Sequence, residues 1–157
     1  MPKFSDIANK KLEDTVRPPL PPIGLYIGQV VGTPSITPRS GPNGDFEILD
    51  INLAGVQPVE DAVDMDELTT FGGAKNVRAK KSFIFNSDDE VAFLNTENQV
   101  KRFVRDHLLI SEKEAASYME ALGIAAGRTL VFEIVHKADK NDPDLFHANV
   151  GKTMPNE

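Results

Sequence analysis

The chain has no cysteine among its 157 residues. That excludes disulfides, a zinc–thiolate centre and a thiol nucleophile. It has only three histidines. It contains no Gly-x-Ser-x-Gly elbow, no phosphate-binding glycine loop ending in Lys-Ser/Thr and no His-Glu-x-x-His helix. Catalytic chemistry has little to work with, so the expectation is a non-enzymatic protein with no cofactor and no metal. No apolar run approaches the roughly 18 residues of a membrane span, and residues 1–6 lack the apolar stretch of a secretory signal. A soluble protein of the cytoplasm with no membrane partner is expected.

Basic charge is also scarce. Lys and Arg number 17 against 24 Asp and Glu, a formal net charge of −7. Taken whole, this argues against a nucleic-acid binder, which usually carries a basic footprint. Local charge governs such binding, however, and the charge is uneven. Glu60, Asp61, Asp64, Asp66 and Glu67 crowd together, and Lys75, Arg78, Lys80 and Lys81 follow within seven residues. A negative body with one basic strand suits an anionic ligand.

The length suits one domain, large enough to fold without staples. A polar extension is expected over 1–17, where Ser5 caps a short helix carrying Ile7 and Leu12. Pro18, Pro19, Pro21 and Pro22 then read as an extended lead-in. Three strand-like runs follow, Gly24–Ile36, Phe46–Leu53 and Val77–Asn86. In the first, Tyr26, Gly28, Val30 and Gly32 alternate with Leu25, Ile27 and Val31. Either Gly28 or Gly32 is suited to bend it. Thr37–Asp45, rich in Pro, Gly and Ser, reads as a long hairpin tip. Residues 54–74 read as an excursion with one helical turn near Asp64–Thr70.

Two helices are expected next. Thr96 and Gln99 match a capping box, and Val100, Phe103, Val104, His107 and Leu108 recur with helical period, giving Glu97–Leu108. Ser111 and Glu114 make a second box, opening Glu112–Leu122 with Gly123 as its stop. A hairpin closes the chain over Thr129–Val150, with a turn-rich tip near Asp139–Asp144. With the helical pair in the one helix position, the order strand-strand-strand-helix-strand-strand is that of the five-stranded OB barrel. That fold presents one face and its loops to oligonucleotides and oligosaccharides. The fold class expected is therefore mainly β with helices (α+β), an OB-like barrel over 18–153 with a short tail at 154–157.

Candidate site residues follow from this frame. Single-strand binders pair cations that track phosphates with aromatic platforms for bases. Lys75, Arg78, Lys80 and Lys81 supply the cations, with Phe83 beside them. The competing reading is an edge strand protected by charge, with Phe83 in the core. Tyr26 and Phe46 are expected as exposed aromatics on the same face, against an ordinary core role. Arg39 sits where a loop closes over a strand. Lys137 and Lys140 flank the last hairpin. His136 reads as structural. The acidic run lacks any spacing that orients a metal and reads as a solvated loop.

Residues 21–26, 71–73, 81–86 and 101–108 together resemble a group of small phage and prophage proteins encoded near replication and recombination genes. The resemblance spans roughly 18–153 and rests on spacing and residue type. It implies an OB-fold protein that coats single-stranded DNA in the host cytoplasm. Replication or recombination proteins would be its partners, and a homodimer could form through an exposed strand. Many replicative single-strand binders end in an acidic tail that recruits partners. Here residues 151–157 carry one carboxylate side chain, so tail-mediated recruitment is not expected. The alternative is a phage structural or adaptor protein that uses the barrel to bind another protein.

Overall fold

Strand β1, Gly24–Val30, lies at the centre of the sheet, hydrogen-bonded to one neighbour on each side. The computed structural model describes residues 2–14, 18–42 and 44–157. The expected extension (1–17) and hairpin tip (37–45) therefore fall partly outside the described residues, at 1, 15–17 and 43. Tyr26, Gly28 and Val30 turn inward from β1, and all three are buried.

Gly28 sits at a bulge, because Ile27 pairs with Gln57 while Gly28 pairs with Gly55. A Cβ on Gly28 would strike the Phe132 ring and come within 2.5 Å of the Ala54 carbonyl oxygen. The chain then turns at Gly32, whose φ of 70° favours glycine. The single first strand expected from sequence is thus two strands. β2, Ser35–Gly41, pairs with the next strand. The long hairpin tip expected at 37–45 is instead mostly strand, since pairing runs up to Gly41 opposite Gly44.

β3 spans Gly44–Val63, far beyond the expected Phe46–Leu53. Its first half pairs with β2 on one side and with β4, Arg78–Asn86, on the other. Its second half pairs with β1. The excursion expected from residue 54 onward therefore begins only after Val63. There Asp64 caps a helix, α2 (Met65–Phe71 once the short α1, Phe4–Ile7, is counted). The Asp64 carboxylate accepts from the backbone N–H groups of Asp66 and Glu67 at 3.0 and 3.1 Å. Ser5 lies inside α1 and Lys3 is at its cap position.

Helix α3 covers Glu90–Arg102 and starts at Asp89, whose side chain accepts from Ala92 N–H at 3.1 Å. The capping box expected at Thr96 does not form. Thr96 Oγ1 instead donates to the Ile84 carbonyl at 2.8 Å and ties the helix to β4. The helix runs into a π-helical turn, Phe103–His107. The apolar face read from sequence is correct, with Val100, Phe103, Val104 and Leu108 all buried. Ser111 and Glu114 do exchange both bonds of a capping box, at 3.0 and 3.3 Å. They hold a turn, however, and α4 begins later, at Tyr118–Ile124, capped by Ser117. Gly123 lies within α4 rather than ending it.

β5, Thr129–Ala138, and β6, Phe146–Pro155, form the closing hairpin. β6 takes in Met154 and Pro155, which sequence assigned to a tail. The whole is an antiparallel six-stranded sheet with helices, in strand order β2-β3-β1-β5-β6 with β4 also on β3. Its core gathers Tyr26, Val30, Ile51, Leu53, Phe103, Leu130, Phe132 and Ile134. The sheet is not a closed barrel, since among the described residues no ladder joins β4 to β6. The π-helical turn sits at that gap. Phe103 packs edge-on against Phe83 of β4, with ring centroids 5.5 Å apart. His107 Nδ1 lies 2.6 Å from Thr153 Oγ1 of β6.

Candidate nucleic-acid interface

Residues directly opposite one another on antiparallel strands share a face, and alternate residues share it along each strand. The register therefore builds one continuous outer surface across β2, β3 and β4. Arg39, Phe46 and Asn86 form its first row. Thr37, Ile48 and Ile84 form the second, and Ser35, Asp50 and Ser82 the third. Asn52 beside Lys80 extends it, and Arg78 follows opposite Ala54, which is itself buried. The opposite parity, Leu49, Ile51, Leu53 and Phe83, is the core.

This surface joins cations to apolar groups. Arg39, Arg78 and Lys80 are exposed, Phe46 and Ile48 are half-buried, and Ile84 is 55% exposed. Asp50 is the one carboxylate in these rows. Its Oδ1 accepts from Ser82 Oγ at 2.5 Å, and its Oδ2 lies 3.9 Å from Lys80 Nζ. Among the described residues, Arg39 and Arg78 form no ion pair. The surface thus offers two unpaired guanidinium groups, one loosely paired ammonium and an aromatic ring.

Four of the ten residues expected at a site meet here: Arg39, Phe46, Arg78 and Lys80. The others do not. Tyr26 is a correction, for it is fully buried rather than an exposed platform. Its ring stacks on Phe132 at 5.8 Å, and its hydroxyl donates to the Pro22 carbonyl at 2.7 Å. Burial, with the charge of Glu67, pushes its pKa up to about 12. Phe83 is likewise a core residue, 5% exposed. Neither ring is free to stack on a base. Lys81 has the parity of Phe83 and turns to the opposite side of β4, its Nζ 5.4 Å from the Phe83 ring centroid. Lys75 is exposed in a single 3-10 turn, Ala74–Asn76, ahead of β4.

Lys137 and Lys140 are exposed at the β5–β6 end, and β1 separates β5 from β3 in the strand order. His136 has the structural role read from sequence, with Nε2 2.7 Å from the Pro21 carbonyl oxygen. Asp64 of the acidic run is a helix cap. Among the described residues no three His, Asp or Glu side chains converge as metal ligands.

Sequence reasoning missed Thr37, Ile48, Asp50 and Ile84. Counting by twos from Phe46 would have found Ile48 and Asp50. Thr37 needed β2 to be recognised as a strand. Two hollows lie elsewhere. The larger, about 520 Å3, lies between α3 and residues 110–121 and mixes Glu97, Lys101, Arg105 and Glu112 with apolar side chains. The smaller, about 150 Å3, lies where β4, the π-helical turn and β6 meet. No protein-family model and no curated protein matches the sequence.

Proposed function

We propose that the protein is an OB-like module that binds single-stranded DNA with little sequence preference, through the outer face of β2, β3 and β4. The observation that carries this reading is the row Arg39–Phe46, a cation beside a partly open ring, with Lys80 and Arg78 farther along the same face. Cations of this kind neutralise phosphates and release counterions, and a ring stacks on any base without reading its edge. The strand order agrees with an OB-like plan. β1 and β2 run along β3 as the two halves of one bent strand would, β4 flanks β3, and β5 and β6 follow the helices. The charge of −7 is uneven, and the carboxylate-rich run lies on the far end of β3 and on α2, beyond the residues of β3 that form these rows. The setting that fits the phage resemblance is coating of single strands during replication or recombination.

A second reading has one observation of its own. All seven residues of β2 are exposed and its outer edge pairs with nothing among the described residues. Such an edge accepts a further strand, as a phage adaptor or a homodimer would use it. Photochemical cross-linking of oligo-dT followed by peptide mapping separates the two. Cross-links on the peptide carrying Phe46 support single-strand binding. A chain that cross-links to itself through β2 and takes up no DNA supports the adaptor.

A further inference from the structure

The smaller hollow is bounded by β4, the π-helical turn and β6, on the side of β4 opposite to the surface described above. Three cationic or titratable nitrogen groups line it: Lys81, Arg102 and His107. No carboxylate lines it. The nearest acid in sequence, Asp106, is held by its neighbour, with Arg105 Nε and Nη2 donating to its two oxygens at 2.7 and 3.1 Å. Among the described residues neither Lys81 nor Arg102 has an ion-pair partner. Lys81 is half-buried over the Phe83 ring. A half-buried cation without a counter-charge is costly. Lys81 is one, and with His107 and the exposed Arg102 at the same opening it makes a site that an anion would stabilise.

The neutral donors fit as well. Gln99 and Thr153 reach the same hollow. His107 Nδ1 is engaged by Thr153 Oγ1 at 2.6 Å, and among the described residues Nε2 has no partner. If His107 is protonated, Nδ1–H donates to the hydroxyl and Nε2–H is left for a ligand. Burial lowers the His107 pKa, Lys81 and Arg102 lower it further, and Asp106 opposes them. A bound anion would reverse the effect of the two cations. At about 150 Å3 the hollow is well below the roughly 300–1,000 Å3 of organic-ligand pockets. It has room for one compact, multiply accepting group and a few waters. π-helical turns recur at functional sites, and this one brings Arg102 and His107 to the same opening.

We propose that this notch binds a single phosphoryl oxyanion through Lys81, Arg102 and His107. The inference does not depend on the single-strand reading of the β2–β3–β4 face. Its test is a titration of the full chain with inorganic phosphate, followed by the NMR signals of the three imidazoles. His107 is assigned with H107Q. The expected result is a saturable shift of His107 alone, with its pKa raised, while His136 and His147 stay still. R102Q, altered at an exposed position at the end of α3, keeps the fold and weakens phosphate about tenfold or more, as loss of a charge-assisted bond requires. K81M does the same where it folds.

Shifts of all three histidines alike, or without saturation, mean an adventitious ion only and overturn the proposal. So does R102Q binding phosphate as the natural chain does. Oligo-dT with and without a 5′-phosphate identifies the source. A strand that moves His107 and is displaced by phosphate supplies the group itself. Phosphate that binds where the strand does not leaves a free ion as the ligand. Both results sustain the site, and the second occurs even if the chain binds no DNA.

Discussion

Arg39 of β2 and Phe46 of β3 stand directly opposite each other in an antiparallel ladder, so guanidinium and ring project from the same side of the sheet. The pairing follows from the tight hairpin between them, in which Gly41 meets Gly44. Substituting Phe46→Ala should weaken oligo-dT by about 1–3 kcal/mol, roughly 5- to 150-fold in Kd, for loss of one base stack. Arg39→Ala should weaken it at every sequence and reduce the slope of log K against log salt by about 1. Both are read by titration at several salt concentrations.

Gly28 and Gly123 should respond oppositely to the same change. Gly28→Ala drives a methyl group into the Phe132 ring and the Ala54 carbonyl, with backbone on one side that cannot yield. A loss of about 1–3 kcal/mol is expected from such overpacking. Gly123 lies in α4 with nothing within 4 Å of an added Cβ. Gly123→Ala should therefore stabilise by up to about 1 kcal/mol. Urea unfolding of the two variants checks both signs.

The start of α3 is testable in the same way. Asp89→Ala removes the side-chain acceptor for Ala92 N–H and should cost about 1 kcal/mol. Gln99→Ala, at the position where sequence suggested a capping box, should change stability by less than about 0.5 kcal/mol. Equal effects would return the helix start to Thr96.

Tyr26 gives a prediction at alkaline pH. Its ordinary pKa of 10.0 rises to about 12 in the fold, because burial, and then the charge of Glu67, disfavour the phenolate. The fold favours the neutral form, so this contribution is complete below pH 10 and is lost as pH climbs through about 12. The chain has two tyrosines, and Tyr118→Phe leaves Tyr26 alone. Its tyrosinate absorbance should then appear only near pH 12, together with loss of the folded signal.

What the sequence made legible was governed by period and by local chemistry. The inward face of α3 was readable because Val100, Phe103, Val104 and Leu108 keep helical spacing even where the helix widens to a π turn. Its start was not, because Asp89 lies among Ser87, Asp88 and Glu90, where any of several side chains could cap. β2 was hidden by Pro38, Ser40 and Gly41, which read as turn formers. An edge strand tolerates proline, and pairing with β3 outweighed local preference. β3 was cut short because residues 54–74, with their acidic stretch, read as an excursion, whereas the strand continues to Val63 through pairing with β1. At the site, alternation showed which residues share a face but not which face is the core. Tyr26 and Phe83 were therefore placed outside when tertiary packing puts them inside. The notch at Lys81, Arg102 and His107 forms where β4 meets the end of α3 and the π-helical turn, and no spacing announces that contact.

The measurement that bears most directly on the central claim is fluorescence anisotropy of labelled oligo-dT, about 30 nucleotides long so as to exceed one binding site. It compares the natural chain with an Arg39→Glu, Phe46→Ala double variant of unchanged fold, with duplex DNA as competitor. The account predicts binding that weakens with salt, resists duplex and is lost in the double variant. Binding that survives in the double variant, or none by the natural chain even at low salt, would contradict it.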